Sequence, residues 1–134
     1  MRVEILDVLP AANGRPRVYF ASAVGSAWAY WSNGQPVPGT TYYVELSAGD
    51  PLVWGVDIVP VADAAPRIES AGDGVTIYAP LESCEADGFT TLRLGTSLMM
   101  LETMGDPPAS DPEGAGAIGV RAHVRTLTLF DTHI

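Results

Sequence analysis

From residue 118 to 125 the chain alternates strictly. Ile118, Val120, Ala122 and Val124 fall on one side, and Gly119, Arg121, His123 and Arg125 on the other. A period of two is the signature of a strand with one buried face. Leu127 and Leu129 then take the opposite parity, with Thr126, Thr128 and a bulky Phe130 between and beyond them. The change of phase predicts either a bulge near Thr126 or a stretch buried on both faces. The same alternation, with its β-branched and aromatic content, predicts further strands over about residues 2–9, 16–23, 27–32, 41–46, 52–59, 75–79, 89–94 and 97–103.

Turn residues separate these runs. Asn13-Gly14, Asn33-Gly34, Asp73-Gly74 and Asp87-Gly88 stand between apolar or aromatic stretches, and such pairs suit hairpin turns that need positive φ. A tight turn is also expected at Gly95, between Phe89-Thr90-Thr91-Leu92-Arg93-Leu94 and Ser97-Leu98-Met99-Met100-Leu101-Glu102. Two helical alternatives compete. Residues 97–104 carry good helix formers, with Gly105 and Pro107 to end them, but the run is short and a strand is preferred. Residues 80–86 could form one helical turn, since Pro80 opens them and Glu82 and Glu85 lie in the first turns. Residues 34–40, with Pro36, Pro38 and Gly39, read as a loop. So do residues 105–117, which hold three prolines, three glycines and three acids.

Many short strands joined by hairpins, a final strand that changes face, and at most one short helix predict an all-β protein. The expected architecture is a small antiparallel barrel or barrel-like sandwich in one domain over residues 1–134. Its strand spacing is similar to that of OB-like barrels, a likeness of pattern that carries no functional residues with it.

Charge narrows the partners. Sixteen Asp and Glu stand against seven Arg and no Lys, for a net charge of −9. A surface of that sign repels phosphate backbones and anionic headgroups, so nucleic acid and membrane are disfavoured and a neutral or basic protein is the easier partner. Plain solubility is the competing explanation of the acidity. The first residues, Met1-Arg2-Val3-Glu4-Ile5-Leu6-Asp7, read as no signal peptide. Apolar runs such as Leu98-Met99-Met100-Leu101 are far shorter than the ~20 residues that span a bilayer. A soluble cytoplasmic protein is expected.

Candidate chemistry is thin. Gly114-Ala115-Gly116-Ala117-Ile118-Gly119 matches GxGxxG, but it leads from a loop into a strand, whereas the dinucleotide fingerprint needs a strand before it and a helix after it. Cys84 is the single cysteine, without thiolate metal spacing. His123 reads as a solvated residue between Arg121 and Arg125. No nucleophile signature is present. Glu82, Glu85 and Asp87, and separately Asp106, Asp111 and Glu113, read as solvated acids rather than as catalytic pairs or a calcium loop. No cofactor and no catalytic residue is expected.

The aromatics are more suggestive. Trp28, Tyr30 and Trp31, then Tyr42, Tyr43 and Trp54, crowd into neighbouring strands. Alternation sends Trp28 and Tyr30 to one face and Trp31 to the other, and likewise splits Tyr42 from Tyr43. A small barrel needs only one set inside. The other is left for recognition, where Trp, Tyr and Arg dominate. The expected interaction residues are therefore Trp28, Tyr30, Trp31, Tyr42, Tyr43 and Trp54, with the acids Glu82, Glu85 and Asp87. The expected role is that of a non-enzymatic protein-binding domain, for example an immunity or antitoxin-type inhibitor of a basic partner. Two alternatives remain. One is an OB-like single-strand nucleic-acid binder in which Arg15, Arg17, Arg121 and Arg125 form a small basic patch. The other is an assembly component of a phage particle or secretion apparatus that packs against copies of itself.

Overall fold

The computed structural model describes residues 1–10, 15–62, 65–107 and 118–132. They form β1 (Arg2–Leu9), β2 (Arg17–Ser22), β3 (Gly25–Trp31), β4 (Thr41–Ser47), β5 (Leu52–Val53), β6 (Ile58–Val61), β7 (Arg67–Ala71), β8 (Gly74–Cys84), β9 (Phe89–Leu94), β10 (Ser97–Met104), β11 (Gly119–Val124) and β12 (Thr128–Asp131). Five of them close a barrel in the order β12-β4-β1-β2-β3, and β3 returns to β12 as a parallel neighbour. The all-β barrel expected from the strand pattern is present. Its one non-antiparallel seam lies between β3 and β12.

Period-two patterning builds this barrel directly. On β3, Ala27, Ala29 and Trp31 point inward while Ser26, Trp28 and Tyr30 point outward. Two small residues followed by a tryptophan fit the taper of a small barrel, whose interior side chains fill. Val3, Ile5, Val18, Phe20, Val44, Leu46 and Leu129 complete the interior. Closure also needs β1 to bend. A bulge between Ile5 and Asp7 supplies the bend, and it leaves Leu6 on the exposed side.

The remaining strands continue from β3 through β7, β8, β9 and β10 to β5, with β11 on β8 and β6 on β11. Their inner residues, among them Ile68, Ile77, Leu92, Met99 and Ala122, join those of the barrel in one continuous apolar cluster. The joint is β3 against β7, a short parallel pairing of Gly25 with Ile68 and Ser26 with Glu69.

Several expected elements differ in detail. Residues 52–59 are not one strand: the chain turns at 55–57 between β5 and β6, where Gly55 takes a positive φ. Residues 67–71 form a strand that their polar content conceals. No helical turn forms at 80–86, because β8 runs on to Cys84 and pairs with β9. The alternative helix over 97–104 is strand β10. Residues 118–130, expected as one final strand that changes face, are two strands: a turn at Arg125 and Thr126 separates β11, which pairs with β6 and β8, from β12, which pairs with β3 and β4, and Leu127, Thr128 and Leu129 after the turn are buried. Asn33-Gly34 does not close a hairpin, since β3 and β4 are not paired. The β7–β8 hairpin turns on Gly72 and Asp73, one residue before the expected pair. Asp87-Gly88 and Gly95 do sit in hairpin turns, with positive φ at both glycines. Asn13-Gly14 and most of the 105–117 segment lie outside the described residues.

Candidate functional site

The outer face of β2 and β3 gathers the densest group of recognition-type side chains. Arg17 and Tyr19 alternate with the buried Val18 and Phe20, and the antiparallel register sets Tyr19 opposite Trp28 and Arg17 opposite Tyr30. The Tyr19 and Trp28 rings meet at 5.3 Å in a tilted arrangement. The Arg17 guanidinium lies 5.7 Å from the Trp28 ring and 5.5 Å from that of Tyr30, and Arg15 lies 5.2 Å from Tyr30. Cation–π contacts of this kind contribute about 0.5–1 kcal/mol each at exposed positions, enough to bias where the guanidiniums rest. On the neighbouring strand Asp7 stands opposite Tyr19, and Leu9, half exposed, opposite Arg17. The face is amphipathic and nearly balanced in charge.

The expected interaction residues do not form one site. Trp28 and Tyr30 belong to this face. Trp31 does not: it is 2% exposed inside the barrel, packs edge-on against Tyr42 at 4.9 Å, and donates its Nε1–H to the Asn33 carbonyl at 2.7 Å. Its parity with Ala27 and Ala29 dictates the inward direction. Trp54 is also buried, at the turn between β5 and β6, and its Nε1–H has no partner among the described residues. Both leave the set of surface contacts. Tyr42 points inward and accepts a hydrogen bond from the Val37 N–H at its hydroxyl. Tyr43 is exposed beside Arg2, in the β1–β4 register. Tyr19 was legible from the alternation of residues 17–20 but was not among the expected residues.

The three acids lie on the β8–β9 side. Glu82 accepts two hydrogen bonds from Arg93, at 2.9 Å from Nε and 3.0 Å from Nη2. This fork of bonds holds the Glu82 carboxyl below the usual carboxylate range and raises the Arg93 guanidinium. Glu85 and Asp87 shape a turn. The Glu85 carbonyl accepts from the Gly88 N–H, and Asp87 Oδ1 accepts from the Phe89 N–H.

The Glu82 carboxyl should titrate by NMR below the ordinary midpoint of about 4.3, and Arg93→Ala should return it upward. Since the folded-state value is the lowered one, the pair's contribution to stability is present at neutral pH and is lost as the pH falls through that lowered midpoint. An unchanged midpoint in Arg93→Ala would show that the bidentate contact does not persist in solution.

Elsewhere, His123 is less solvated than expected. Its Nε2 lies 3.1 Å from Asp73 Oδ1; Arg121 shares its face of β11, and Arg125 lies in the turn that follows the strand. Both belong to the part beyond the barrel, while Arg15 and Arg17 stand on the barrel. Cys84 Sγ accepts a hydrogen bond from Thr90 Oγ1, and Thr90 and Thr103 meet at 3.1 Å in the buried layer beneath. Among the described residues no three His, Cys, Asp or Glu side chains converge as metal ligands would. No helix occurs among them that is long and apolar enough to cross a membrane. Gly119 opens β11, while residues 114–117 of the GxGxxG match lie outside the described residues. The chain matches no family model, and no curated protein or solved structure matches it.

Proposed function

We propose that this chain is a non-enzymatic protein-recognition domain that engages its partner through the outer face of β2 and β3. An inhibitor of the immunity or antitoxin kind would be one such role. The observation that carries the reading is the cluster of Tyr19, Trp28 and Tyr30 with Arg15 and Arg17 on one strand pair. Trp, Tyr and Arg supply most binding hot spots: the aromatics bury large amphipathic areas with few rotatable bonds, and the planar guanidinium stacks and forms several directed hydrogen bonds. The strand pair is a rigid platform, so little conformational entropy opposes docking.

A second reading has a specific observation in its favour: strands two and three of OB-like barrels form the face that takes oligonucleotides, with aromatics as stacking platforms. Two features weigh against it here. Two guanidiniums already lie near the Tyr30 ring, and a net charge of −9 opposes phosphate.

Affinity purification from the native cells, with wild type and Trp28→Ala in parallel, separates the readings. The expected result is a protein recovered with wild type and bound at least about 30-fold more weakly by Trp28→Ala, the loss typical of a hot spot of about 2 kcal/mol. A partner held equally by both chains overturns the assignment of this face. Micromolar binding of a labelled oligothymidine with a steep salt dependence would replace it with the nucleic-acid reading.

A further inference from the structure

We infer that the outer face and open edge of β10 form a second docking surface, which takes an extended, cationic segment of another protein. It shares no residue with the β2–β3 face and does not depend on it.

The surface arises from alternation on an edge strand. Met99, Leu101 and Thr103 point into the core, so Leu98, Met100, Glu102 and Met104 point out. Leu98 is 48% exposed and Met100 52%, and on β9 the half-exposed Phe89 stands opposite Glu102. On its other edge β10 meets β5 only through Thr103 and Met104. Among the described residues no strand pairs with Ser97–Glu102 on that side. Residues 47–50 approach β10 at Met100–Glu102 without joining its ladder, so the edge is unpaired there but walled on that side. An unpaired edge beside an apolar row invites another strand, and proteins ordinarily block such an edge with lysine, proline or a fully covering segment. No lysine or proline stands in β10.

Charge identifies the occupant. Asp50 shares a groove of about 280 Å³ with Phe89, Met100 and Glu102. Glu85, Asp87 and Asp106 line a second groove, beside Met104. None of these five carboxylates takes part in an ion pair among the described residues, and Arg93, the one arginine of the hairpin, is held by Glu82. The surface is therefore apolar along the strand and uncompensated negative at one end. A second copy of the chain fits poorly: it has no lysine, only seven arginines, and a net charge of −9 that repels its like. A strand that alternates cationic and apolar residues fits both features, with main-chain bonds supplying affinity and side chains supplying selectivity.

The probe is a fluorescent peptide of about ten residues alternating lysine and valine, titrated against the full chain by anisotropy. Two companions accompany it: a glutamate–valine peptide, and a lysine–proline peptide that cannot add as a strand. The lysine–valine peptide should bind at least about tenfold more tightly than either, and more weakly as salt rises. Met100→Lys and Leu98→Lys, each checked for an unchanged thermal melt, should weaken it by at least about tenfold. Trp28→Ala should bind it as wild type does, which separates failure here from failure of the β2–β3 assignment. Equal affinity of the lysine–proline peptide overturns strand addition, and undiminished affinity in both lysine variants overturns the location.

Discussion

Trp31→Ala is expected to lower stability by about 3–5 kcal/mol, the range for truncating a large aromatic in a packed core. Native domains of this size carry only about 5–15 kcal/mol in total, so the variant would sit near the limit of folding. Three losses combine. The indole fills the interior beside Ala27 and Ala29, which are too small to close over a void. Its edge contact with Tyr42 is lost. Its Nε1–H bond to the Asn33 carbonyl, which holds the β3–β4 connection to the barrel end, is lost as well. Urea unfolding of Trp31→Ala beside Trp28→Ala is the measurement. Trp28, three residues earlier on the opposite face, should cost about 1 kcal/mol, in the range of substitutions outside a core. Equal losses in the two variants would contradict the inside–outside division on which the recognition face depends.

Gly25→Ala should be comparably damaging, on the order of 2–6 kcal/mol, by a different mechanism. Gly25 has a φ of 135°, a conformation that side chains other than glycine's rarely adopt. A Cβ there would overlap the carbonyl oxygen of Ile68 on β7, which is backbone and cannot rotate aside. At this point β3 has neighbours on both sides, with Ser22 of β2 across the hairpin and Ile68 of β7 in the parallel joint. Strain from the backbone contributes about 1–3 kcal/mol and overpacking about 1–3 more. The useful control is Gly34→Ala. Gly34 also has a positive φ, 77° against 135°, but nothing lies within 4 Å of a Cβ built there, so it shows the cost of a positive φ without steric overlap. Hydrogen exchange should show the damage of Gly25→Ala first at the β3–β7 joint. A loss no larger than that of Gly34→Ala would mean the two strands separate readily and the joint is weak.

The pattern of the chain carried much of the local structure. The run from Phe89 to Glu102 was readable as a hairpin turning at Gly95, because alternation on both sides of a glycine admits few other solutions. The split between Trp28 with Tyr30 and Trp31 was readable for the same reason. The β2–β3 face is thus half legible: the tyrosine and tryptophan positions follow from parity, but their pairing with Arg15 and Arg17 needs the register of two strands. Residues 67–71 were missed because only Ile68 is buried in that strand, so one apolar residue had to stand for a face. The turn within residues 52–59 was missed because Val53, Trp54, Val56 and Ile58 stay apolar through it. Trp54 was misplaced with them.

The acidic residues show the other limit. Glu82, Glu85 and Asp87 lie within six residues of sequence, yet Glu82 is tied to Arg93 while the other two form the turn beside Phe89. Asp50 joins Glu102 and Asp106 on the negative rim of β10 from a segment far from them along the chain.

By itself, then, the sequence determined the all-β class, the hairpins that close on Gly88 and Gly95, and that neighbouring aromatics split between the two faces of a strand. Each of these follows from interactions between near neighbours and from the two-residue repeat of a strand. Only the tertiary structure decided that β3 closes on β12, that Gly25 joins the barrel to the second set of strands, and that β10 keeps an open edge under an acidic rim. Those features depend on pairings between residues far apart along the chain, and alternation says which face a residue takes without saying which strand lies beside it.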